Sequence, residues 1–378
     1  GRPSDANEGC VGPESSMAGK AAACAGCPNQ KNCASGKGSV DPAAAEVARS
    51  FGMVKHTILV LSGKGGVGKS TVASQLAWGL SADTKLEVGV LDIDICGPSM
   101  PRMMGVEDEE VHKSGSGWSP VMADDNLAVM SVGFMLQKKT DAIIWRGPRK
   151  TGLIKQFLTD VDWGKLDFLV VDAPPGTSDE HISLAKFLKK VKIDGAIIVT
   201  TPQEVALLDV RKEITFCHKT KIPILGVVEN MSYFSCPNCN HLTKIFPPLT
   251  GGAKKLCADT GIPYLGAIPM DSKLLDACEN GESFLARYPK SPAVPAITSL
   301  VTAVQASDYS KLSGSFKEDD NEDMNIEEKK EDIMKSSKEV QAILAYLEGL
   351  QSAPEKTRKA AASDIKKIAK ICAVLQKK

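Results

Sequence analysis

The residue types with the clearest chemical meaning form one glycine-rich stretch. It reads Gly63, Lys64, Gly65, Gly66, Val67, Gly68, Lys69, Ser70 and Thr71, directly after a strand-like run and at the start of a helical segment. Glycines let successive backbone N–H groups converge on phosphate oxygens, and the helix N-terminus adds partial positive charge. Lys69 then reaches the β- and γ-phosphates, and Ser70 offers a hydroxyl to Mg²⁺. The stretch predicts a phosphate-binding loop for ATP and Mg²⁺, because a purely structural glycine turn does not need this strand and helix around it.

Acidic residues follow two later strand-like runs. Asp92 ends the run 86–92 and Asp94 follows it, and Asp172 ends the run 166–172. Because parallel strands place ligands at their carboxyl edge, these carboxylates are expected beside the phosphate loop. Asp172 is predicted to hold Mg²⁺ through water, and the Pro174–Thr177 turn behind it to sense the nucleotide. Capping of a helix is the alternative role for each aspartate.

Six of the eleven cysteines have the spacing of metal ligands. Four of them, in the order C-x13-C-x2-C-x5-C, lie in a Gly/Ala-rich segment, and two form a CPNC pair: Cys10, Cys24, Cys27, Cys33, Cys236 and Cys239. Four thiolates suffice for one iron–sulfur cluster or one zinc, and chelation would order a segment that has no core. Disulfides are not expected in a long chain without a secretion signal. No role is assigned to the remaining five: Cys96, Cys217, Cys257, Cys278 and Cys372.

The CPNC pair supplies two thiolates where such a metal site needs four. His241 would add a third ligand and make half of a zinc ribbon. A two-fold axis offers a simpler completion, since two facing pairs give four thiolates around one iron–sulfur cluster. Both readings stay open on spacing alone.

The elements that must position these residues alternate between buried strands and amphipathic helices. The strand-like runs are HTILVLS, LEVGVLD, LDFLVVD, GAIIVTT and IPILGVVEN, and the intervening helical segments include 70–80 and 204–218. Strands that are apolar throughout are typical of parallel sheets. The pattern predicts a doubly wound, mostly parallel α/β sheet covered by helices on both faces. We assign residues 51–310 to this domain and residues 1–50 to a separate cysteine-rich segment.

The composition changes again beyond residue 310. Residues 315–332 hold nine acidic residues against three lysines, which predicts a solvated linker over 311–332. Apolar residues then recur at helical spacing, and Ser352 and Glu355 have capping-box spacing, so residues 333–378 are predicted to form a helical hairpin.

The overall charge excludes some classes of function. Lys+Arg and Asp+Glu are equal at 46 each, so no global field attracts nucleic acid or an anionic membrane. No apolar run approaches the roughly 18–20 residues that cross a bilayer. We expect no membrane or direct nucleic-acid partner, and a cytosolic or nuclear location.

Lys64 and the cysteine motifs together carry a resemblance to known proteins. A second lysine at the start of the loop resembles the deviant phosphate loop of the MinD/ParA and nitrogenase iron-protein class, whose dimers sandwich nucleotide. The four-cysteine spacing, the GKGGVGKS loop and the CPNC pair together resemble the Mrp/NBP family of P-loop ATPases, over about residues 8–307. The match extends to Trp145–Pro148 and Asp172–Thr177, and favours the cytosolic iron–sulfur assembly scaffolds that have a long N-terminal cysteine segment. The extension after Lys311 departs from the family pattern.

The resemblance implies specific roles for these residues. Lys64 would contact the partner subunit's nucleotide, Asp94 would orient the attacking water, and Asn230 would read adenine. The N-terminal cysteines would hold a stable four-iron four-sulfur cluster, and Cys236 and Cys239 a labile one that bridges the dimer. The partners implied are a second copy or a shorter paralogue without the N-terminal cysteines, cluster donors and apo-acceptors.

Two other classes of function remain as alternatives. A nitrogenase iron-protein-like reductase also couples ATP to a bridging cluster, although its cysteines lie singly on separate segments. A ParA-like positioning ATPase with structural zinc at both cysteine sites is the second, and it would need a surface for DNA or membrane. The excess of basic residues in 353–378 is the feature that would bind DNA or an anionic membrane.

Overall fold

The structure is a computed structural model of the 378-residue chain. It describes residues 6–7, 9–12, 15, 17–34, 46–47, 49–95, 97–115, 117–135, 147–176, 184, 187, 193–236, 239, 241–248 and 250–309. The chain divides into two compact units, residues 1–316 and 317–378. The predicted acidic linker and helical hairpin, together with Cys96, Trp145, Arg146, Thr177 and Cys372, lie outside the described residues.

Twelve strands are described. They are β1 Val54–Leu61, β2 Val88–Asp92, β3 His112–Ser114, β4 Gly117–Ser119, β5 Val121–Asp124, β6 Leu127–Ser131, β7 Leu166–Asp172, β8 Gly195–Thr200, β9 Ile224–Glu229, β10 Phe234–Ser235, β11 Leu242–Thr243 and β12 Tyr264–Ala267. The described α-helices are α1 Gln30–Ala34, α2 Lys69–Ser81, α3 Met100–Met103, α4 Gly147–Thr159, α5 Glu204–Thr220, α6 Gly252–Thr260, α7 Ser272–Glu279, α8 Phe284–Arg287 and α9 Val294–Gln305.

Eight of these strands form one sheet in the order β12-β9-β8-β1-β7-β2-β6-β5. Every pairing is parallel except that of the edge strand β5 with β6. The five strand-like runs read from the sequence are β1, β2, β7, β8 and β9, so the predicted doubly wound, mostly parallel fold is confirmed. Strands β5, β6 and β12 were not predicted, because runs of only four or five residues carry a weak periodic signal.

The two faces of the sheet have separate cores. In β1, Ile58 and Val60 face one core and Leu59 and Leu61 the other, as the two-residue period of a strand requires. Helix α2 lies in the first core and is buried over most of its length, so it is held firmly beside the strand that precedes it. Helix α4 covers the opposite face through buried side chains such as Phe157. The phosphate loop, between β1 and α2, is therefore fixed at both ends.

None of the helices in the described ranges is long and apolar enough to cross a membrane.

Candidate functional site

The glycine-rich loop joins the carboxyl end of β1 to the first turn of α2, as predicted. Gly68 precedes the helix with φ of +84°, a left-handed conformation that glycine adopts without strain. A Cβ at Gly68 would lie 2.2 Å from Nδ2 of Asn230, and one at Gly63 would lie 2.6 Å from the backbone of Asp209. The glycines at these two positions allow the loop to touch its neighbours.

Lys69, Ser70 and Asp172 meet at the carboxyl edge of the sheet. Nζ of Lys69 lies 2.6 Å from Oδ1 of Asp172, and the Ser70 hydroxyl donates a hydrogen bond of 2.6 Å to Oδ2. Asp172 is fully buried and Lys69 is 6% exposed. The sequence predicted these three side chains to act on one phosphate and one metal ion, and the structure brings them into contact.

Two more carboxylates stand beside this group. Asp94 Oδ2 lies 3.7 Å from Lys69 Nζ, and Asp92 is the residue paired in register with Asp172 on the neighbouring strand. Burial raises the pKa of Asp92 to about 7, and the Asp172 carboxylate adds to the rise. Burial also raises the pKa of Asp172, against the opposing effects of Lys69 and Ser70. Asp172 and Asp94 therefore lie beside the ammonium group of Lys69, while Asp92 stands behind them in the sheet.

Lys64 behaves differently from Lys69, since its residue is exposed while Lys69 is buried. The first lysine of the loop is therefore accessible to another molecule. This exposure agrees with the predicted contact across a subunit interface without testing it.

Asn230 follows β9 and is 5% exposed. Its Nδ2 donates a hydrogen bond of 2.9 Å to the carbonyl of Val67, so it supports the phosphate loop directly. It also lines a small, mostly apolar pocket beside α2 with Thr71, Val72, Gln75, Ile268, Leu274, Ile297 and Leu300. Recognition of adenine by Asn230 stays a prediction, while its contact with the loop was not foreseen.

Cys236 and Cys239 lie in the turn between the short strands β10 and β11, six and nine residues after Asn230. The backbone N–H of Cys236 bonds to the carbonyl of His241 at 3.0 Å, which closes the turn. Phe234 at the base of this hairpin bridges to Met270, just beyond β12. Cys236 is half-buried and Cys239 is exposed, so this arm presents its cysteines at the surface.

The four N-terminal cysteines line one pocket, together with Ala6, Val11, Gly12, Ala18, Gly19, Ala23, Asn29 and Gln30. Partial burial and the nearby thiols of Cys10, Cys27 and Cys24 raise the pKa of Cys33. Within the described ranges, no three His, Cys, Asp or Glu side chains are arranged to hold a metal ion. The donor set, four cysteines around one pocket, is that of a four-thiolate site.

Sequence reasoning missed the role of Ser131. This serine ends β6, and its hydroxyl donates a hydrogen bond of 2.8 Å to Asp92. Neither the strand nor its terminal serine carries a motif, so pairing of β6 with β2 is what reveals the contact. Asp92 itself had been noticed as a strand end but not assigned a role.

Comparison with known proteins finds one matching family model and several similar structures. A family model described as an NUBPL iron-transfer P-loop NTPase of the ParA group matches residues 53–305. A nucleotide-binding protein of Archaeoglobus fulgidus, solved with ADP, is 37% identical with a TM-score of 0.57, over 66% of this chain and 95% of that chain. The cell division ATPase MinD of Pyrococcus furiosus is 23% identical with a TM-score of 0.47, over 66% of this chain and 98% of that chain.

Proposed function

Because the chain belongs to the NUBPL iron-transfer family of P-loop NTPases, we propose that it is an ATP-dependent scaffold for iron–sulfur clusters. In this proposal it assembles four-iron four-sulfur clusters at a dimer interface and transfers them to cytosolic and nuclear apoproteins. ATP hydrolysis changes the geometry of the dimer and so controls release of the cluster.

The observation that carries the proposal is the link between the phosphate loop and the cysteine hairpin. Asn230 bonds to Val67 in the loop, and the same chain segment reaches Cys236 six residues later. The hairpin also contacts the segment that follows β12, because the N–H of Met270 donates to the carbonyl of Tyr233 at 2.7 Å. A movement of the loop on nucleotide binding would therefore displace the segment that carries the two cysteines.

The phosphate site has the groups that ATP hydrolysis needs. Lys69 and the backbone N–H groups of the loop would bind the phosphates, and Ser70 and Asp172 would hold Mg²⁺. When bound, Mg²⁺ neutralises charge that develops on the phosphate oxygens. Asp94, close to Lys69, would orient the attacking water. The similar Archaeoglobus protein was solved with ADP, which supports nucleotide binding by this chain.

The proposal requires a dimer, because each chain alone supplies only half of the ligands for the cluster. Two thiolates per hairpin are half of a four-thiolate site, and Lys64 is exposed on the phosphate loop. Apolar side chains are also exposed on α5, on β11 of the hairpin and just after β11: Val205, Leu208, Leu242 and Ile245. A second copy, or a shorter paralogue, would cover such side chains and complete the cluster site.

The N-terminal pocket fits a resident cluster. Four cysteines line it, and four thiolates are the ligands of a four-iron four-sulfur cluster. In this proposal the N-terminal cluster stays bound while the bridging cluster is the cargo, which donor proteins supply and apo-acceptors receive.

The test is anaerobic purification and reconstitution with iron and sulfide. Iron, sulfide and zinc per chain would be measured in the wild type, in Cys236→Ser/Cys239→Ser, and in a control without two buried cysteines, Cys217→Ala/Cys257→Ala. We expect the hairpin variant to lose the more labile fraction and its transfer to an apo-acceptor, while the control keeps both.

Two results would count against the scaffold. Stoichiometric zinc that iron and sulfide cannot replace would favour the ParA-like ATPase with structural zinc. A cluster that cycles between oxidation states with ATP but is never transferred would favour the electron-transfer reading.

A further inference from the structure

A row of buried polar residues crosses three strands at the nucleotide edge of the sheet. Asp172 on β7 is in register with Asp92 on β2, and Asp92 is in register with Ser131 on β6. All three are fully buried. Asp172 belongs to the phosphate site already described, whereas Asp92 and Ser131 have no role in it so far.

Asp92 holds both ends of the loop 93–99, which connects β2 to α3. Its Oδ1 accepts a hydrogen bond of 3.0 Å from the N–H of Asp94, near the start of the loop. Its Oδ2 accepts one of 3.4 Å from the N–H of Met100, where α3 begins. One carboxylate thus bonds to the chain at both ends of the loop, and the bond near the start fixes the backbone of Asp94.

Ser131 supports the Asp92 carboxylate from the next strand. Its hydroxyl donates to Oδ2 of Asp92 at 2.8 Å and accepts the N–H of Gly133 at 3.0 Å. A Cβ at Gly133 would lie 3.0 Å from Pro101 and 3.4 Å from Pro98, so the loop also rests closely on this turn. The loop is therefore held by hydrogen bonds to Asp92 and by packing against the turn at Gly133.

We propose that Asp92, supported by Ser131, is a positioning residue for ATP hydrolysis. It holds the loop 93–99 so that the Asp94 carboxylate faces Lys69 and the phosphates, and it does not itself touch nucleotide. The inference rests on the proposed ATPase function and adds to it a residue that neither the loop motif nor the family match assigns.

Burial of this carboxylate is costly, which argues against a merely structural role. Asp92 lies fully buried beside Asp172, another carboxylate, and burying like charges together disfavours folding. Its oxygens accept from three donors, the N–H groups at the two ends of the loop and the hydroxyl of Ser131 on β6. An arrangement of this kind preorganises a catalytic loop, because small displacements of a reacting group can cost about 100-fold in rate.

The test compares Asp92→Ala, Asp92→Asn and Ser131→Ala with a control, Asp194→Ala. Asp194 is another buried aspartate that accepts a backbone N–H, that of Thr57 at 2.9 Å, but it precedes β8 at the opposite edge of the sheet. For each full-length variant we would measure kcat and KM for ATP, nucleotide Kd, and hydrogen–deuterium exchange of residues 93–100.

In Asp92→Ala we expect kcat to fall on the order of 100-fold, with nucleotide Kd within about threefold of wild type. In Asp92→Asn we expect kcat to fall less, about tenfold, because the amide oxygen still accepts the Asp94 N–H. In Ser131→Ala we expect the smallest fall in kcat. Exchange of residues 93–100 should rise in the same order, and Asp194→Ala should change neither kcat nor this exchange.

Several results would overturn the proposal. These are unchanged exchange in the Asp92 variants, faster exchange with unchanged kcat, an equal fall in kcat in Asp194→Ala, or a loss of kcat explained by lost nucleotide affinity. If Asp92→Ala fails to fold, Asp92→Asn carries the same test. Wild-type protein without ATP hydrolysis would count against the proposed function, while the exchange of residues 93–100 would still decide whether Asp92 holds the loop.

Discussion

The side chains of the phosphate site lie at a sheet edge and contact one another, whereas the four N-terminal cysteines lie in a segment of turns and short helices. Lys69 contacts Asp172 and approaches Asp94, and both elements that flank the phosphate loop are deeply buried. The N-terminal segment is held by Asn7, which donates to the carbonyls of Ala23 and Ala25, and by Gln30, which donates to that of Gly19. The fold shapes the first site, whereas in our proposal the second would gain order from the cluster that its cysteines bind.

The strongest way to separate the two regions is to remove Lys69. We expect Lys69→Ala to lower ATP hydrolysis by roughly 10²–10³-fold, because a buried charged donor to the phosphates is lost. The N-terminal cluster should remain, as measured by iron and sulfide per chain and by visible absorbance. Loss of that cluster together with hydrolysis would show that the regions are not independent.

A matched pair of glycines sharpens the same contrast. Gly68 and Gly26 both have positive φ, +84° and +72°, but a Cβ at Gly68 would meet Asn230 whereas one at Gly26 meets nothing within 4 Å. Gly68→Ala should lower the free energy of unfolding by about 2–4 kcal/mol, from strain and overpacking together. Gly26→Ala should leave global stability unchanged in denaturant titration, since its segment adds little to the core. Equal losses of stability in the two variants would show that the two regions contribute alike to global stability.

Lys64 tests whether the exposed part of the phosphate loop acts between subunits. Lys64→Ala should slow ATP hydrolysis about tenfold, as expected for loss of a charged hydrogen bond to phosphate. Nucleotide binding to the monomer should be preserved, because Lys69 remains. Steady-state hydrolysis and nucleotide titration on the same preparation check both points, and normal hydrolysis would exclude a role across the interface.

The smallest expected effect concerns a buried charge within the sheet unit. Glu213 on α5 is fully buried, and within the described part of the chain neither carboxylate oxygen has a hydrogen-bond partner. Burial, with a contribution from Asp209, raises its pKa to about 7. The folded state therefore binds the proton more tightly than the unfolded state, so stability falls as pH rises from about 4.5 to about 7.

Glu213→Gln should remove this part of the pH dependence, worth about 1–2 kcal/mol between pH 5 and pH 8. Urea unfolding of the wild type and variant at both pH values measures it, with the exposed Glu109→Gln as control. The same fall in stability in the Glu213 variant would show that this carboxyl does not titrate as described.

Much of the fold was readable from the sequence, and the reasons are local. The five central strands are continuous apolar runs with sharp ends, and the loop motif sits between one of them and a helix. The edge and neighbouring strands β5 and β6 were missed because their runs are short. Asn230 was assigned to adenine by resemblance, yet its contact with Val67 depends on how β9 approaches the loop.

Sequence by itself determined the chemical groups: the phosphate loop, the carboxylates at strand ends, and two sets of cysteines with metal-ligand spacing. These follow from residue types and short separations, which the chain encodes directly. Tertiary structure alone decided that Asp172, Asp92 and Ser131 stand in one buried row and that Asp92 spans the loop carrying Asp94. That arrangement depends on the order and register of β7, β2 and β6, and both are set by pairing between segments distant in sequence.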